Sequence, residues 1–503
     1  MLSRIHSGAV LGIEGLPVWV EVNTGLPGEP KFITVGLPDA AVRESQDRVS
    51  SALMNNGFSM AKTRTIVNLS PGNLRKEGPI YDLPIALGII KSTGQASLVR
   101  LEEFVIAGEL SLSGDLMPIS GAVALAMQAR KYKKKLILPK ASAEMATYVS
   151  DIDIFAAGTF REVVGFLSRE NELPKLRRER VGEEEAFDVD FSEVKGQLAL
   201  RRAVEVAVAG GHNLLMVGSP GTGKSMIAKR IPTIMPKPTL EEFLEILSIH
   251  SSCQKTYPSV AFKRPFRAPH HTISDIGLLG GGNYPVPGEV SLAHNGVLFL
   301  DELAEFRRST LEILRQPLED GFVDISRYAA KVQFPCSFML IGAMNPCPCG
   351  FLGDSRKECL CSPGQIQRYR SRISGPLMDR IDIHIDVRPI DTGELRQEKI
   401  GESSEAIRQR VTLAREIQRA RNRPGCITNA KMKQRDLRQF CKLNAQGERL
   451  LTSAIDRLSL SGRAHDRILK VARTIADLEQ SETIGENHLL EAIHYRSMDR
   501  KLF

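Results

Sequence analysis

Residues Gly218, Ser219, Pro220, Gly221, Thr222, Gly223, Lys224 and Ser225 spell the pattern G-x-x-x-x-G-K-[ST], whose chemistry is the cradling of phosphate. Glycines at the bends let successive backbone N–H groups point at one anion, and a helix N-terminus behind them adds its positive end. The Lys224 ammonium would reach the β- and γ-phosphates, and the Ser225 hydroxyl would ligate Mg²⁺. Such a loop needs a strand before it and a helix after it. Asn213-Leu214-Leu215-Met216-Val217 supplies the first, and Met226-Ile227-Ala228 continues into the second. A glycine-rich loop of no consequence is the other reading, and it explains neither the fixed positions nor the flanks. The expected ligand is a nucleoside triphosphate.

Two further segments could complete hydrolysis. Val297-Leu298-Phe299-Leu300 is an apolar run that ends in Asp301 and Glu302. Asp301 would hold Mg²⁺ through water, and Glu302 would take a proton from the attacking water as general base. Such an ending is common by itself and gains weight from its place downstream of the phosphate loop. Ser337 to Met344 is a third apolar run, and it ends in Asn345. Asn345 would orient the water and sense the γ-phosphate; an asparagine in a turn before Pro346 is the plainer reading. Three strands with polar C-terminal ends imply a parallel sheet with its ligand across those ends.

The elements that must position these groups fit an α/β fold. At 503 residues the chain has room for two to four domains. Its 42% hydrophobic and 25% charged content is ordinary for a globular chain, and a net charge of +8 permits a polyanionic partner. No apolar run approaches a membrane span and the first residues carry no signal core, so no membrane partner and a cytoplasmic location are expected. In that compartment the eight cysteines do not read as a disulfide framework. Residues 1–168 alternate β-rich runs (Val18 to Val22, Phe32 to Val35, Thr65 to Leu69) with helical stretches. Residues 169–190 are charged and read as a solvated linker, 191–392 hold the nucleotide machinery, and 393–503 are helical. In the last block Ile407, Val411, Ala414 and Ile417 share one helix face.

Other constellations leave alternatives open. Cys347-x-Cys349 and Cys359-x-Cys361 enclose a nine-residue loop. Four thiolates suit tetrahedral Zn²⁺, although C-x-C hooks are tighter than the usual spacing, and buried or free thiols are the alternative. Cys253, Cys336, Cys426 and Cys441 lack such partners and read as packing residues. The tandem His270 and His271 invite a metal, but without a third ligand a loop or DNA contact is preferred. Arg130 to Lys135 is a basic run, solvated or facing phosphates. Arg408, Arg410, Arg415, Arg419, Arg421 and Arg423 make the last block basic, a DNA candidate. Phe322 to Tyr328 and Lys331 to Phe334 alternate on either side of Ala329-Ala330 and read as a β-hairpin.

The order of these parts resembles the AAA+ ATPases. Phosphate loop, Asp-Glu strand, Asn-ending strand, Gly375-Pro376-Leu377-Met378-Asp379-Arg380-Ile381-Asp382 and a helical lid follow one another, closest to the magnesium-chelatase and MCM-type branch. That resemblance implies that Arg380 is an arginine finger acting in trans, hence a ring, most simply a homo-hexamer. A surface salt bridge to Asp379 or Asp382 is the alternative. In Ser461 to Arg467 it implies that Arg467, with Arg463 as rival, contacts the γ-phosphate in cis. MCM-like ATPases place a hairpin in the central pore, so Arg327 and Lys331 would grip DNA phosphates.

Arg267-Ala268-Pro269-His270-His271-Thr272 and Ala343 to Gly350, with the N-terminal block, are similar to the ComM/YifB family over nearly the whole chain. The family resemblance implies an ATP- and Mg²⁺-dependent helicase, with Zn²⁺ as a candidate third cofactor. It would bind single-stranded and branched DNA and drive branch migration in recombination during natural transformation, with a recombinase as candidate partner. A chelatase-like remodelling ATPase acting on a protein is the alternative. The first block resembles the Lon-protease fold through Lys76 to Pro84 and Gly108 to Ile119. Ile80 stands where that fold has its serine and Val123 where it has its lysine, so peptidase chemistry is not expected.

Overall fold

The computed structural model describes residues 1–27, 29–177, 187–253, 262–282, 285–326, 331–354, 356–389, 401–422, 428–458 and 461–498. The N-terminal chain begins as a long antiparallel ribbon, Leu2–Leu11 against Glu14–Leu26. Arg64–Ser70 adds antiparallel to it and Phe32–Val35 closes the sheet in parallel. Along Arg64–Ser70, Thr65, Val67 and Leu69 point inward in strict alternation, as a half-buried strand requires. The helix Asp82–Thr93 packs across this sheet. Its run Ile85-Ala86-Leu87-Gly88-Ile89-Ile90 is buried on every face, which is why it has no polar stripe. A second sheet runs in the order Lys175–Leu176, Ile154–Ala157, Lys135–Pro139, Phe104–Ile106.

Two expectations meet this region. Ile80 and Val123 are both in the N-terminal core. The stretch 169–190 is not solvated throughout: Lys175–Leu176 pairs antiparallel with Ile154 and Phe155, and residues 178–186 lie outside the described residues. Leu176 and Leu173 reach the core, which gives the pairing its apolar support.

The nucleotide block is built on a five-stranded, wholly parallel sheet. Its order is Phe266–Arg267, Val297–Leu300, Met339–Met344, Leu214–Gly218, Ile383–Val387. The three central strands are buried along their length, the continuous apolar reading of a sheet covered on both faces. The chain therefore has the α/β architecture of an AAA+ core followed by helices: Ser404–Arg421, Gln434–Phe440, Ala445–Leu458, Gly462–Leu478 and Glu486–His494. Ile407, Val411 and Ala414 do share the buried face of Ser404–Arg421, but Gln418 replaces Ile417 there. The Gln418 amide is taken up by the Ala209 carbonyl (3.1 Å) and the Asn429 N–H (3.0 Å), which satisfies a polar group in the core. The helix Leu240–Cys253 joins the halves by placing Phe243, Leu244 and Leu247 in the N-terminal core. Among the described residues no helix is long and apolar enough to cross a membrane.

Candidate nucleotide site

The phosphate loop leaves the sheet at Gly218 and ends at Gly223, whose φ of +88° no ordinary side chain adopts without strain. Lys224 then starts the helix Lys224–Ile234. Its Nζ donates to the carbonyls of Gly218 (2.6 Å) and Ser219 (2.9 Å), folding the side chain along the loop. Burial holds the Lys224 ammonium below its ordinary range, against the pull of Asp301. Thr222 Oγ1 donates to the Ser219 carbonyl at 2.9 Å and tightens the same turn. The Ser225 hydroxyl donates to Asp301 Oδ2 at 2.6 Å. The two oxygen ligands expected for Mg²⁺ thus meet at the carboxyl edge of the sheet.

Glu302 follows at φ +51°, a turn that sends its side chain away from the strand, and its carboxylate is 58% exposed. Asn345 caps the Met339–Met344 strand, between the phosphate-loop strand and the Asp301 strand.

Arg380, Arg463 and Arg467 gather around one acidic cluster. Arg380 pairs with Glu319 and donates to the Pro376 carbonyl at 2.7 Å. That corrects the expected alternative: its partner is neither Asp379 nor Asp382. Arg467 faces Asp382 at 3.5 Å, and Arg463 faces Asp379 at 3.8 Å with most of its side chain in solvent. Burial alone would raise the Asp382 carboxyl, but the His212 hydrogen bond and the Arg467 charge outweigh it and hold it well below the usual range.

The four cysteines come together: their sulfurs all lie within 4.8 Å of one another. Cys253 does not fit its expected role, since it is exposed, whereas Cys336 and Cys441 are buried; Cys426 lies outside the described residues. The hairpin forms, Phe322–Ser326 against Lys331–Pro335, and residues 327–330 of the expected first arm and turn lie outside the described residues. Arg327 lies outside the described residues, and Lys331 opens the second strand. Three of the six lid arginines are neutralised from within. Arg410 pairs with Glu205 and Glu402, Arg408 with Glu405, and Arg421 grips Asp477 through two bonds of 2.6 and 2.8 Å. Arg415 donates to the Val208 carbonyl at 2.7 Å, Arg419 is exposed, and Arg423 is outside the described residues. In the basic run, Lys135 pairs with Glu103 at 2.6 Å and Lys134 donates to the Glu102 carbonyl.

Sequence reasoning missed four supporting residues. His271, read as a loop or DNA contact, has Nδ1 3.4 Å from Glu302 Oε2. Gln197 donates to the Thr222 (3.3 Å) and Arg388 (2.7 Å) carbonyls, bracing the phosphate loop from outside. Asn213 bridges three strand ends, donating to the Arg380 carbonyl (2.8 Å) and accepting from the Leu340 N–H (2.9 Å). Asp354 neighbours Ser219 of the phosphate loop, whose hydroxyl, after the Arg356 N–H, helps hold its carboxyl below the ordinary range. Only the tandem histidine left a sequence signal; polar residues in loops leave none.

Comparison with known proteins agrees with this geometry. Residues 190–395 match the family model described as magnesium chelatase, subunit ChlI; 20–142 match subunit ChlI of Mg-chelatase; and 401–496 match its C-terminal model. The chain is 43% identical over 507 residues to competence protein ComM of Haemophilus influenzae, covering 100% of this chain and 98% of that one. It is 41% identical over 509 residues to the protein YifB of Escherichia coli, with the same coverage. A shorter stretch is 37% identical over 68 residues to an archaeal Lon protease of Halobacterium salinarum, 14% of this chain and 9% of that one.

Proposed function

Because the chain belongs to the ComM/YifB family of magnesium-chelatase-like AAA+ proteins, we propose that it is an ATP-driven motor acting on single-stranded and branched DNA. It works as a homo-hexameric ring, promotes branch migration in recombination during natural transformation, and meets a recombinase on its substrate. The name of the Haemophilus relative supports the competence setting.

The contact that carries the ATPase half is Ser225 Oγ to Asp301 Oδ2 at 2.6 Å. A hydroxyl and a carboxylate are hard oxygen donors, the set that suits Mg²⁺. When bound, Mg²⁺ and ATP supply the scissile phosphoanhydride and the charge that polarises it. Lys224 turns from the loop carbonyls to the β- and γ-phosphates, and the loop N–H groups from Gly218 to Ser225 hold the anion. Glu302 accepts the proton of the attacking water, and Asn345 orients that water. Arg380 leaves Glu319 to neutralise transition-state charge in a neighbouring subunit. Arg467, or Arg463, reaches the γ-phosphate from the lid.

The experiment is ATP turnover with and without DNA, and conversion of a labelled four-way or three-stranded junction. Turnover that rises with DNA of any sequence, falls steeply with salt, and is matched by junction product is the expected result. Turnover indifferent to DNA, with no junction product, overturns the DNA half of the reading.

A further inference from the structure

The four-cysteine knot does more than sit near the nucleotide site. Cys347 Sγ lies 3.3 Å from Cys349 Sγ and 3.6 Å from Cys359 Sγ, Cys349 Sγ is 3.6 Å from Cys359 Sγ, and the Cys349 N–H donates to Cys361 Sγ at 3.4 Å. A tetrahedron with Zn–S bonds of about 2.3 Å has sulfur edges of about 3.8 Å. Among Cys347, Cys349 and Cys359 the sulfur separations are already within about half an ångström of that edge, and Cys361 Sγ lies within 4.8 Å of the other three. The hooks are held from both sides. Cys347 is fully buried at the end of the Asn345 strand, and Ser362, next to Cys361, caps the helix Pro363–Arg370. Arg370 of that helix donates back to the Pro346 carbonyl at 3.2 Å. Four thiolates on Zn²⁺ carry a net charge of about −2, and the loop between the hooks bears Arg356 and Lys357.

The same loop lies against the phosphate loop at two points. Gly350, at φ +85°, has no room for a side chain: a Cβ there would stand 2.7 Å from Pro220 Cδ and 3.7 Å from Asn345 Cγ. The Asp354 side chain is 2% exposed; its carboxylate accepts from the Arg356 N–H at 2.8 Å, and that bond first, then the neighbouring Ser219 hydroxyl, hold it below its ordinary range. Ser219 in turn offers its carbonyl to Lys224 Nζ. A continuous path runs from the thiolates through Gly350 and Asp354 to Pro220, Ser219 and the lysine.

We propose that Cys347, Cys349, Cys359 and Cys361 hold one Zn²⁺, and that the loop it pins braces the phosphate loop, so that zinc occupancy sets the affinity for ATP. The second clause rests on the nucleotide reading given above; the first does not. Zinc would fix the loop between the hooks, and without it Asp354 and Gly350 lose their register on Ser219 and Pro220. The loop then pays its ordering entropy on each binding event.

Full-length protein purified without chelator is assayed for zinc by elemental analysis and for Mg²⁺–ATP affinity by titration with a fluorescent ATP analogue. One zinc per chain is expected. Cys359→Ser and Cys361→Ser should lose it, and ATP affinity should fall about tenfold. Asp354→Asn should keep the zinc yet lose affinity in the same direction, which separates the brace from general unfolding; thermal melts check that each variant is folded. Metal-free wild-type protein overturns the zinc site. Folded, zinc-free cysteine variants that bind ATP as tightly as wild type overturn the brace. Zinc-loaded protein that binds no ATP overturns the nucleotide reading and the brace with it, while leaving the metal site standing.

Discussion

The imidazole Nδ1 of His271 stands 3.4 Å from Oε2 of Glu302, across a gap of sequence that includes an entire strand of the sheet. A general base works only when its oxygen is held toward the proton it takes. Glu302 is otherwise free to swing, since 58% of its side chain is exposed. The ring of His271 is in turn fixed against His270 (centroids 4.1 Å apart) and edge-on to Phe306. His271→Ala is expected to lower kcat for ATP about tenfold with little change in KM, and His271→Asn to recover part of the loss. A rise in KM with kcat intact would assign the ring to ground-state binding instead.

Lys224 and Glu302 should separate binding from chemistry. Lys224 is the group that would pair with phosphate in the ground state, so Lys224→Ala should abolish nucleotide binding. Glu302 would act only on water, so Glu302→Gln should bind ATP normally and lose at least about 100-fold in turnover. Equilibrium nucleotide binding read beside steady-state hydrolysis decides the matter, and normal turnover by Glu302→Gln would refute its role as base.

Arg380 is held by Glu319 and the Pro376 carbonyl within its own chain. If it serves a neighbour's site, Arg380→Ala subunits mixed with Lys224→Ala subunits should regain part of the ATPase activity, because a pair of unlike subunits builds one intact site. Mixed rings verified by mass that stay inactive would count against action in trans.

His6 gives the N-terminal half an acid limb. It is 3% exposed and stacks on Trp19 at 4.2 Å, and its Nδ1 has no hydrogen-bond partner among the described residues. Burial first, then Lys134 and Arg4, lower it from 6.5 to about 4. A histidine with a depressed pKa keeps its stabilising neutral form above about 6.5, and stability is lost as pH falls from there toward about 4, by at most roughly 3 kcal/mol. Trp19 is the one tryptophan in the chain, so its fluorescence follows this site. Urea unfolding at pH 7.5 and 5 should show the loss, and His6→Phe should shrink it.

The sequence carried what local pattern can carry. The phosphate loop, the strands ending at Asp301 and Asn345, the hairpin, and the buried stripe of Ile407, Val411 and Ala414 were all legible. Each is set by glycine conformation, by the spacing of apolar residues or by both, within a few residues of one another. The paired hooks of cysteine were legible for the same reason, and their closure on one another, one of the two readings left open, is what the structure shows.

Tertiary structure alone decided which polar groups meet across long loops. It put His271 on Glu302, Asp354 on Ser219, Gln197 behind Thr222, and Asn213 between neighbouring strands. It also turned the arginines of the last block inward to Glu205, Glu402 and Asp477, where a one-dimensional count of charge had suggested an open basic face. A charged or amide side chain has no periodicity that announces its partner. Burial of the backbone around it selects that partner, because an unpaired polar group in the interior costs more than the bond that satisfies it.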